Sequence, residues 1–376
     1  MSSNSFIPIN WKIVKLRDIL KVSQGLQITI SNRFLEPADN RVPYITIPYI
    51  EGKKREFIED ANQSVLCKKN DLLVVRTGSG VGKIMRGVQG AFHNNFFKIK
   101  TFDNLSTNYL YFFLTSTRTQ FLMRTYAGNS TIPDLNHGDF YSLNFLLPPL
   151  KEQQKIAEIL TILDDSILKQ NELIKFKEKH KKGLMQKLLT GKVRFSEFSD
   201  DWSSEKLGKL CTIKKGTQLN KLELTEEGDY PAINGGIEPS GYTDDWNTEK
   251  NTITISEGGN SCGYINFITS KFWSGGHCYS LLDLKINKVF LYQYLKLSEM
   301  KIMRLRVGSG LPNIQKKDIE NFKVSMPSSD EQDKIAEILG FADEEIYLLE
   351  NELQEIKEQK KGLMQKLLTG EVRVNI

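Results

Sequence analysis

Cysteine, histidine and long apolar runs are scarce in this chain, and each scarcity narrows what it does. Four cysteines, Cys67, Cys211, Cys262 and Cys278, are spread over 376 residues and form no C-x-x-C pair. Such scattered thiols fit a reducing cytoplasm. The four histidines, His93, His137, His180 and His277, are equally dispersed, and no His/Cys/Asp/Glu set has metal-ligand spacing. The longest apolar stretches, such as Tyr109–Leu114, are far too short to span a bilayer. The start, Met1–Trp11, is polar and does not read as a secretory leader. No membrane role is expected.

Motifs for nucleotide or cofactor chemistry are also missing. Gly78-Ser79-Gly80-Val81-Gly82-Lys83-Ile84 approaches a P-loop but has three residues between Gly78 and Gly82 instead of four. Ile84 stands where a Ser or Thr would hold magnesium. Leu147-Pro148-Pro149-Leu150 is similar to the catalytic Asn/Asp-Pro-Pro-aromatic motif of adenine methyltransferases, but both informative ends are absent. No Gly-rich loop opens a βαβ unit. The chain is therefore expected to be no enzyme and to hold no cofactor or metal itself.

What is present is charge asymmetry and repetition. The net charge of +5 divides into +7 for residues 1–150, +4 for 151–199, zero for 200–327 and −6 for 328–376. A basic first half suits a polyanion, whereas an acidic last segment must face something else. The segments Glu152–Arg194 and Glu331–Arg373 align without a gap, and roughly half their positions are identical. The stretch KKGLMQKLLTG occurs in both.

Both copies read as helices. In the second, Ile335, Leu339, Ala342, Ile346, Leu349, Leu353, Ile356, Leu363 and Leu367 recur at spacings of four and three, with Lys360 as the one interruption. The first has Ile156, Leu160, Leu163, Ile167, Ile174, Leu184 and Leu188, interrupted by Gln170, Lys177 and Lys181. Those three are expected to face Leu349, Leu353 and Ile356. Pro148 and Pro149 end the preceding strand, Ser329 and Gln332 suit a capping box, and Gly191 and Gly370 suit left-handed C-caps. Each helix spans roughly 57 Å. Ile159, Ile162, Leu168 and Leu189 fall outside the seam and predict an apolar outer face for a partner.

The segments before the two helices share landmarks in order. Trp11 with Lys15-Leu16 matches Trp202 with Lys206-Leu207, and Gly25-x-Gln27 matches Gly216-x-Gln218. Pro43-Tyr44-Ile45 matches Pro231-Ala232-Ile233, and the strand Asp71–Val75 matches Thr252–Ile255. Gly/Ser loops follow at Thr77–Gly82 and Glu257–Gly263, then His93 and His277 in matching places. Each of the two is either a hydrogen-bonded framework residue or a base contact. Short helices at Tyr109–Leu114 and Leu291–Leu295 precede loops ending at Pro133 and Pro312-Asn313. Short strands with Gly-rich turns and few helices indicate α+β modules.

Two divergent modules, each followed by a near-identical long helix ending KKGLMQKLLTG, resemble the specificity subunits of type I restriction–modification systems over nearly the whole chain. The resemblance implies an α+β fold of two related target-recognition domains joined by two long antiparallel coiled-coil helices, with pseudo-two-fold symmetry. The boundaries are then residues 1–150 for the first domain and 151–195 for the central helix, with 196–327 for the second domain and 328–376 for the last helix. Each domain would read one half of a bipartite site in double-stranded DNA. The helices would set the spacer and dock two methyltransferase subunits, which recruit restriction and motor subunits. S-adenosylmethionine, ATP and magnesium would belong to those partners.

Base reading needs donors and acceptors on loops, with Arg suited to guanine and Asn or Gln to adenine. The candidates in the first module are Arg76, Thr77, Ser79, Lys83, Arg86, Asn94, Asn95, Asn129, Ser130 and Thr131. In the second they are Asn234, Glu257, Asn260, Ser261, His277, Ser309 and Asn313, with Lys214 and Lys215 set against phosphate. The run Lys175–Lys182 is either a solvated helix face or a phosphate contact. A coiled-coil scaffold without DNA specificity is the alternative function. It leaves the two intervening modules unexplained.

Overall fold

The computed structural model describes residues 7–59, 61–308, 310 and 312–375. The chain divides into two compact units, Met1–Lys169 with Leu353–Ile376, and Gln170–Glu352. Among the described residues no helix is long and apolar enough to cross a membrane.

In the first unit Lys12–Lys15 pairs antiparallel with Asn144–Leu147. An antiparallel sheet follows the order Leu20–Gln24, Phe96–Thr101, Leu72–Val75, Ile84–Met85. A second sheet runs Phe57–Glu59, Arg41–Ile45, Gly90–Phe92, Leu66–Cys67, and its middle pair is parallel. The unbroken apolar run Leu72–Val75 reflects burial on both faces. Leu72 and Val74 enter a core with Trp11, Phe97 and Phe145. Leu73 and Val75 enter another with Tyr44, Phe92 and Phe96, as a period of two requires.

The second unit repeats this plan. Ser203–Lys206 pairs with Lys323–Met326. One sheet runs Thr212–Lys215, Cys278–Leu282, Thr252–Ser256, Ile265–Ile268, and a smaller one runs Tyr242–Thr243, Tyr230–Ile233, Trp273–Ser274. Here the central strand alternates. Ile253 and Ile255 enter the core. Ser256 on the other face donates its hydroxyl to Gly235 O at 2.5 Å.

The long helices are Leu150–Leu188 and Ser329–Thr369. Within the first unit the start of one lies antiparallel to the end of the other. Ile156, Ala157 and Leu160 share a core with Leu367 and Leu368. The Arg373 guanidinium donates to both oxygens of buried Glu152 at 2.6 and 2.9 Å, and Trp11 Nε1 donates to the same carboxylate at 2.9 Å. Lys360 pairs with Asp164. The second unit carries the repeat equivalents of these contacts. Met185, Leu188 and Leu189 pack with Ile335, Ala336 and Leu339. Arg194 donates to Glu331 at 3.0 and 2.7 Å, and Lys181 pairs with Asp343. Trp202 Nε1, the counterpart of Trp11 Nε1, is buried without a partner among the described residues. Gly191 and Gly370 have φ of +67° and +74°, the left-handed caps expected.

Several expectations need correcting. The ammonium groups of Lys177 and Lys181 pair with the carboxylates of Glu345 and Asp343 on the second helix, which the apolar seam alone does not predict. Antiparallel packing lays the acidic start of the second helix along the basic end of the first, which accounts for the opposite charges of the two segments. Gln170 donates to Leu349 O at 3.1 Å and to Glu352 at 2.9 Å. Gln332 forms no capping box. Its Oε1 accepts from Asn287 N–H at 3.1 Å and its Nε2 donates to Pro327 O at 2.9 Å, tying the long helix to the N-cap of Lys288–Leu297. Gln153 binds Ser106 N–H and Pro148 O in the same way, both at 2.8 Å. Of the proposed outer face, Ile162 and Leu168 are 57% and 60% exposed. Ile159 packs against the first core, and Leu189 is buried beside Trp202 and Phe290 because the second module folds back over the helix end.

Candidate nucleic-acid interface

The Gly/Ser loop of each module hangs from a buried strand and is stitched to the loop that ends at proline. In the first module Gly78 N–H donates to Pro133 O at 2.9 Å and Leu135 N–H to Arg76 O at 2.9 Å. In the second, Gly259 N–H donates to Pro312 O at 3.0 Å and Ile314 N–H to Glu257 O at 2.9 Å. A third segment joins each pair, with Arg76 N–H on Asn95 O at 2.7 Å and Glu257 N–H on His277 O at 2.9 Å. The backbone framework is one design used twice. Gly25 and Gly216 let a fourth segment approach it. A Cβ there would lie 2.2 Å from His93 O or 2.3 Å from Ser274 O, so only glycine fits.

These bonds correct one landmark. Phe96 N–H donates to His93 O and Cys278 N–H to Gly275 O, both at 3.0 Å, so His93 corresponds to Gly275. His277 corresponds to Asn95. The two histidines fall at similar points along the chain but occupy different places in the turn. His93 Nδ1 accepts from Asn95 N–H at 3.0 Å. Burial, then the charge of Arg33, holds its pKa below the usual value. A cavity of about 220 Å³ opens beside His93 and Asn95, walled by Arg33, Lys54 and Glu56. The former P-loop resemblance ends here too, because Lys83 runs into the strand Ile84–Met85 and not into a helix.

Most of the chosen residues of the first module gather around this framework. Arg76 is clamped on Asp134, with Nε–Oδ1 at 2.8 Å and Nη2–Oδ2 at 2.9 Å. Thr77 Oγ1 adds a bond to Asp134 at 3.0 Å. The hydrogen bonds from Arg76 hold the Asp134 carboxyl below the usual carboxylate range, although partial burial pushes the other way. Arg76 also donates to Gln24 Oε1 at 3.3 Å, and Asn94 Nδ2 donates to Gln27 Oε1 at 3.2 Å. Asn129, Ser130 and Thr131 are exposed on the loop leading to Pro133, where Ser130 Oγ donates to Ile132 O at 2.8 Å. Ser79 and Lys83 are exposed on the Gly/Ser loop. Arg86 lies apart from this group. Its guanidinium stacks 3.8 Å from the Tyr111 ring and faces Asp164 of the long helix.

In the second module the cluster centres on Glu257, which is 5% exposed. It accepts from Lys215 Nζ at 2.5 Å and from Tyr279 OH at 2.9 Å, and His277 Nδ1 lies 3.2 Å away. Burial alone would raise its carboxyl, but the bonds from Lys215 and Tyr279 prevail and lower it. Asn234 Oδ1 accepts His277 N–H at 3.2 Å, and Ser261 Oγ donates to Gly235 O at 2.5 Å. Asn313 pairs by backbone with Gly258, and its Oδ1 accepts from Gln315 at 3.0 Å. Asn260 and Lys214 are exposed nearby on the same loop and strand. Ser309 lies outside the described residues. Gln24, Asp134 and Tyr279 belong to these clusters without having been chosen from sequence. Only the recurrence of Gly25-x-Gln27 as Gly216-x-Gln218 marked that segment.

Comparison with known proteins places this architecture. The family model described as the type I restriction modification DNA specificity domain matches residues 8–177 and again 199–358. The chain is 26% identical over 408 residues to a type I restriction enzyme specificity subunit from Methanocaldococcus jannaschii, covering 98% of this chain and 94% of that protein. It is 38% identical over 172 residues to a putative type I specificity subunit from Mycoplasma pneumoniae, covering 45% of each. The crystal structure of a type I restriction-modification S subunit from M. genitalium superposes with a TM-score of 0.67 at 22% identity, covering 98% of both chains. With the family model matched twice along nearly its whole length, the chain belongs to the type I restriction–modification DNA specificity family.

Proposed function

We propose that this chain is the sequence-reading subunit of a type I restriction–modification complex and does no bond chemistry itself. The observation that carries this reading is the duplicated loop framework, in which identical backbone bonds present different polar side chains. A reader of an asymmetric bipartite site needs that combination, one rigid mount with two independent sets of contacts. A coiled-coil scaffold has no use for it.

The first domain, residues 1–150, reads one half-site and the second, residues 196–327, reads the other. The central and last helices, residues 151–195 and 328–376, fix the spacer. Their exposed apolar side chains, Ile162, Leu168, Phe341, Tyr347 and Leu348, supply docking faces for two methyltransferase subunits. Restriction and motor subunits join through those partners, which hold S-adenosylmethionine, ATP and magnesium. The four cysteines are buried and unpaired, which suits work in the cytoplasm. Co-expression with the methyltransferase and mapping of methylated adenines tests the reading. The expected result is one asymmetric bipartite motif, and replacing residues 1–145 by a relative's domain changes only one half of it. A chimera that alters both halves refutes the assignment of one half-site per domain.

A further inference from the structure

The two loop clusters differ in which hydrogen-bonding groups they leave free. In the second, Glu257 is the buried anchor. Tyr279, Lys215 and His277 converge on it, so its oxygens are occupied and it cannot reach a base. Lys215 and His277 hold Glu257 at one end, yet their side chains remain 50% and 61% exposed. Lysine carries three N–H donors, of which Glu257 takes one and leaves two. A carboxylate beside Nδ1 favours the tautomer with its proton there, leaving Nε2 of His277 as an acceptor.

In the first cluster the central charge is already matched. Arg76 spends two of its donors on Asp134. Gln24 is engaged at both ends, by Arg76 and by Asn94 O. What remains is the amide pair Gln27 and Asn94, joined through Asn94 Nδ2 and Gln27 Oε1. Asn94 Oδ1 is buried without a partner among the described residues. An acceptor left unsatisfied in a native fold is open to a donor from outside the protein, a water or a ligand group. Gln27, on the exposed side, still has its amide N–H groups.

We propose that the Lys215–His277 pair of the second domain reads a G·C pair and the Gln27–Asn94 pair of the first reads an A·T pair. This rests on the DNA-reading function above. In the major groove guanine presents the adjacent acceptors O6 and N7 beside the N4 donor of cytosine. Two free ammonium donors next to an imidazole acceptor complement that set. Adenine presents the N7 acceptor and the N6 donor. One free amide N–H group and one free amide oxygen complement those. Glu257 is then a positioning residue, acting through Lys215 and His277.

The test uses the full subunit co-expressed with its methyltransferase in a host without other adenine methylation, read by methylome sequencing. Lys215→Met and His277→Ala are expected to relax one G·C position in one half-site. Gln27→Ala and Asn94→Ala are expected to relax one A·T position in the other. Each should lose about tenfold in preference, the size of one good side-chain–base contact. Glu257→Gln keeps the volume and is expected to relax the same G·C position as Lys215→Met. If Glu257→Gln or Lys215→Met lowers methylation equally at every site and leaves the motif intact, the groups are structural or contact phosphate, and the proposal falls. Variants that change nothing also overturn it. A wild-type complex with no motif at all would instead refute the DNA-reading function.

Discussion

A fragment ending near Phe195 should form a homodimer, because each long helix carries what the other one's partner requires. In the full chain Leu367 and Leu368 complete the core of the first unit. Their repeat equivalents, Leu188 and Leu189, hold the matching place in the second unit. In a fragment dimer Leu188 and Leu189 of one copy would stand in for Leu367 and Leu368 against the other. Arg194 would replace Arg373 at Glu152, and Lys181 would replace Lys360 at Asp164. Every substitution occurs twice. Four leucines at about 1.5–3 kcal/mol each give on the order of 6–12 kcal/mol. The entropy cost of association is about 4–15 kcal/mol, so the margin is small. Two natural contacts do not survive. Lys177 would face Ser166 in place of Glu345, and Gln170 would lose Glu352 to Leu173. Exposed pairs like these contribute about 1 kcal/mol or less each. The dimer is therefore expected to be weaker than the natural pairing and strengthened by bound methyltransferase through mass action. Sedimentation equilibrium of residues 1–195 measures it. Leu188→Ala with Leu189→Ala should abolish it, since each truncation costs about 2–5 kcal/mol and is present in both copies. Co-expressed with methyltransferase, the fragment should methylate an inverted repeat. A folded fragment that stays monomeric in the complex, or a dimer indifferent to the leucine substitutions, would refute the exchangeability of the two helices.

Other outcomes follow from single contacts. Trp11→Phe removes a bond to a buried carboxylate and should destabilise the first unit by about 1.5–3 kcal/mol in denaturant melts, whereas Trp202→Phe, whose Nε1 has no partner among the described residues, should have a smaller effect. The Asp134 pKa is lowered on folding, so its stabilising contribution is present above the usual carboxylate range and lost as pH falls through the folded value. Asp134→Asn should accordingly flatten the acid limb of stability against pH, and an unchanged limb would show that Asp134 contributes nothing there. Gly25→Ala drives a Cβ into His93 O and should cost about 1–3 kcal/mol while impairing DNA retention by the first domain more than methyltransferase capture. Leu168→Asp should leave the melting temperature unchanged and weaken capture of the methyltransferase in a pull-down, because Leu168 is exposed and outside both cores.

The long helices and the duplication were legible because both are local or self-referential signals. An apolar residue every three or four positions specifies a helix seam wherever its partner lies, and a repeat needs only the chain compared with itself. The pairing of side chains far apart in sequence was not legible. Glu152 and Arg373 bond across 221 positions of sequence, and nothing near either residue marks the other. The seam lysines show the same limit. Read along one helix, Lys181 and Lys360 are interruptions. Only the antiparallel register turns them into equivalent ion pairs with Asp343 and Asp164.

Within the loops, residue type picked out segments that the fold brings together, but not which hydrogen bonds each side chain makes. Glu257, which opens a Gly/Ser loop, lies buried under Lys215 and Tyr279, which come from two other strands. Arg76 has the side chain most suited to guanine, yet Asp134 holds it through both oxygens. Arg86 is drawn away onto Tyr111. In each case a partner distant in sequence decides which donors and acceptors stay free. A recognition surface of this kind is defined by what the framework has left unsatisfied. Asn94 is a candidate by residue type alone, whereas Gln27 stands out only when the bonds around it are counted.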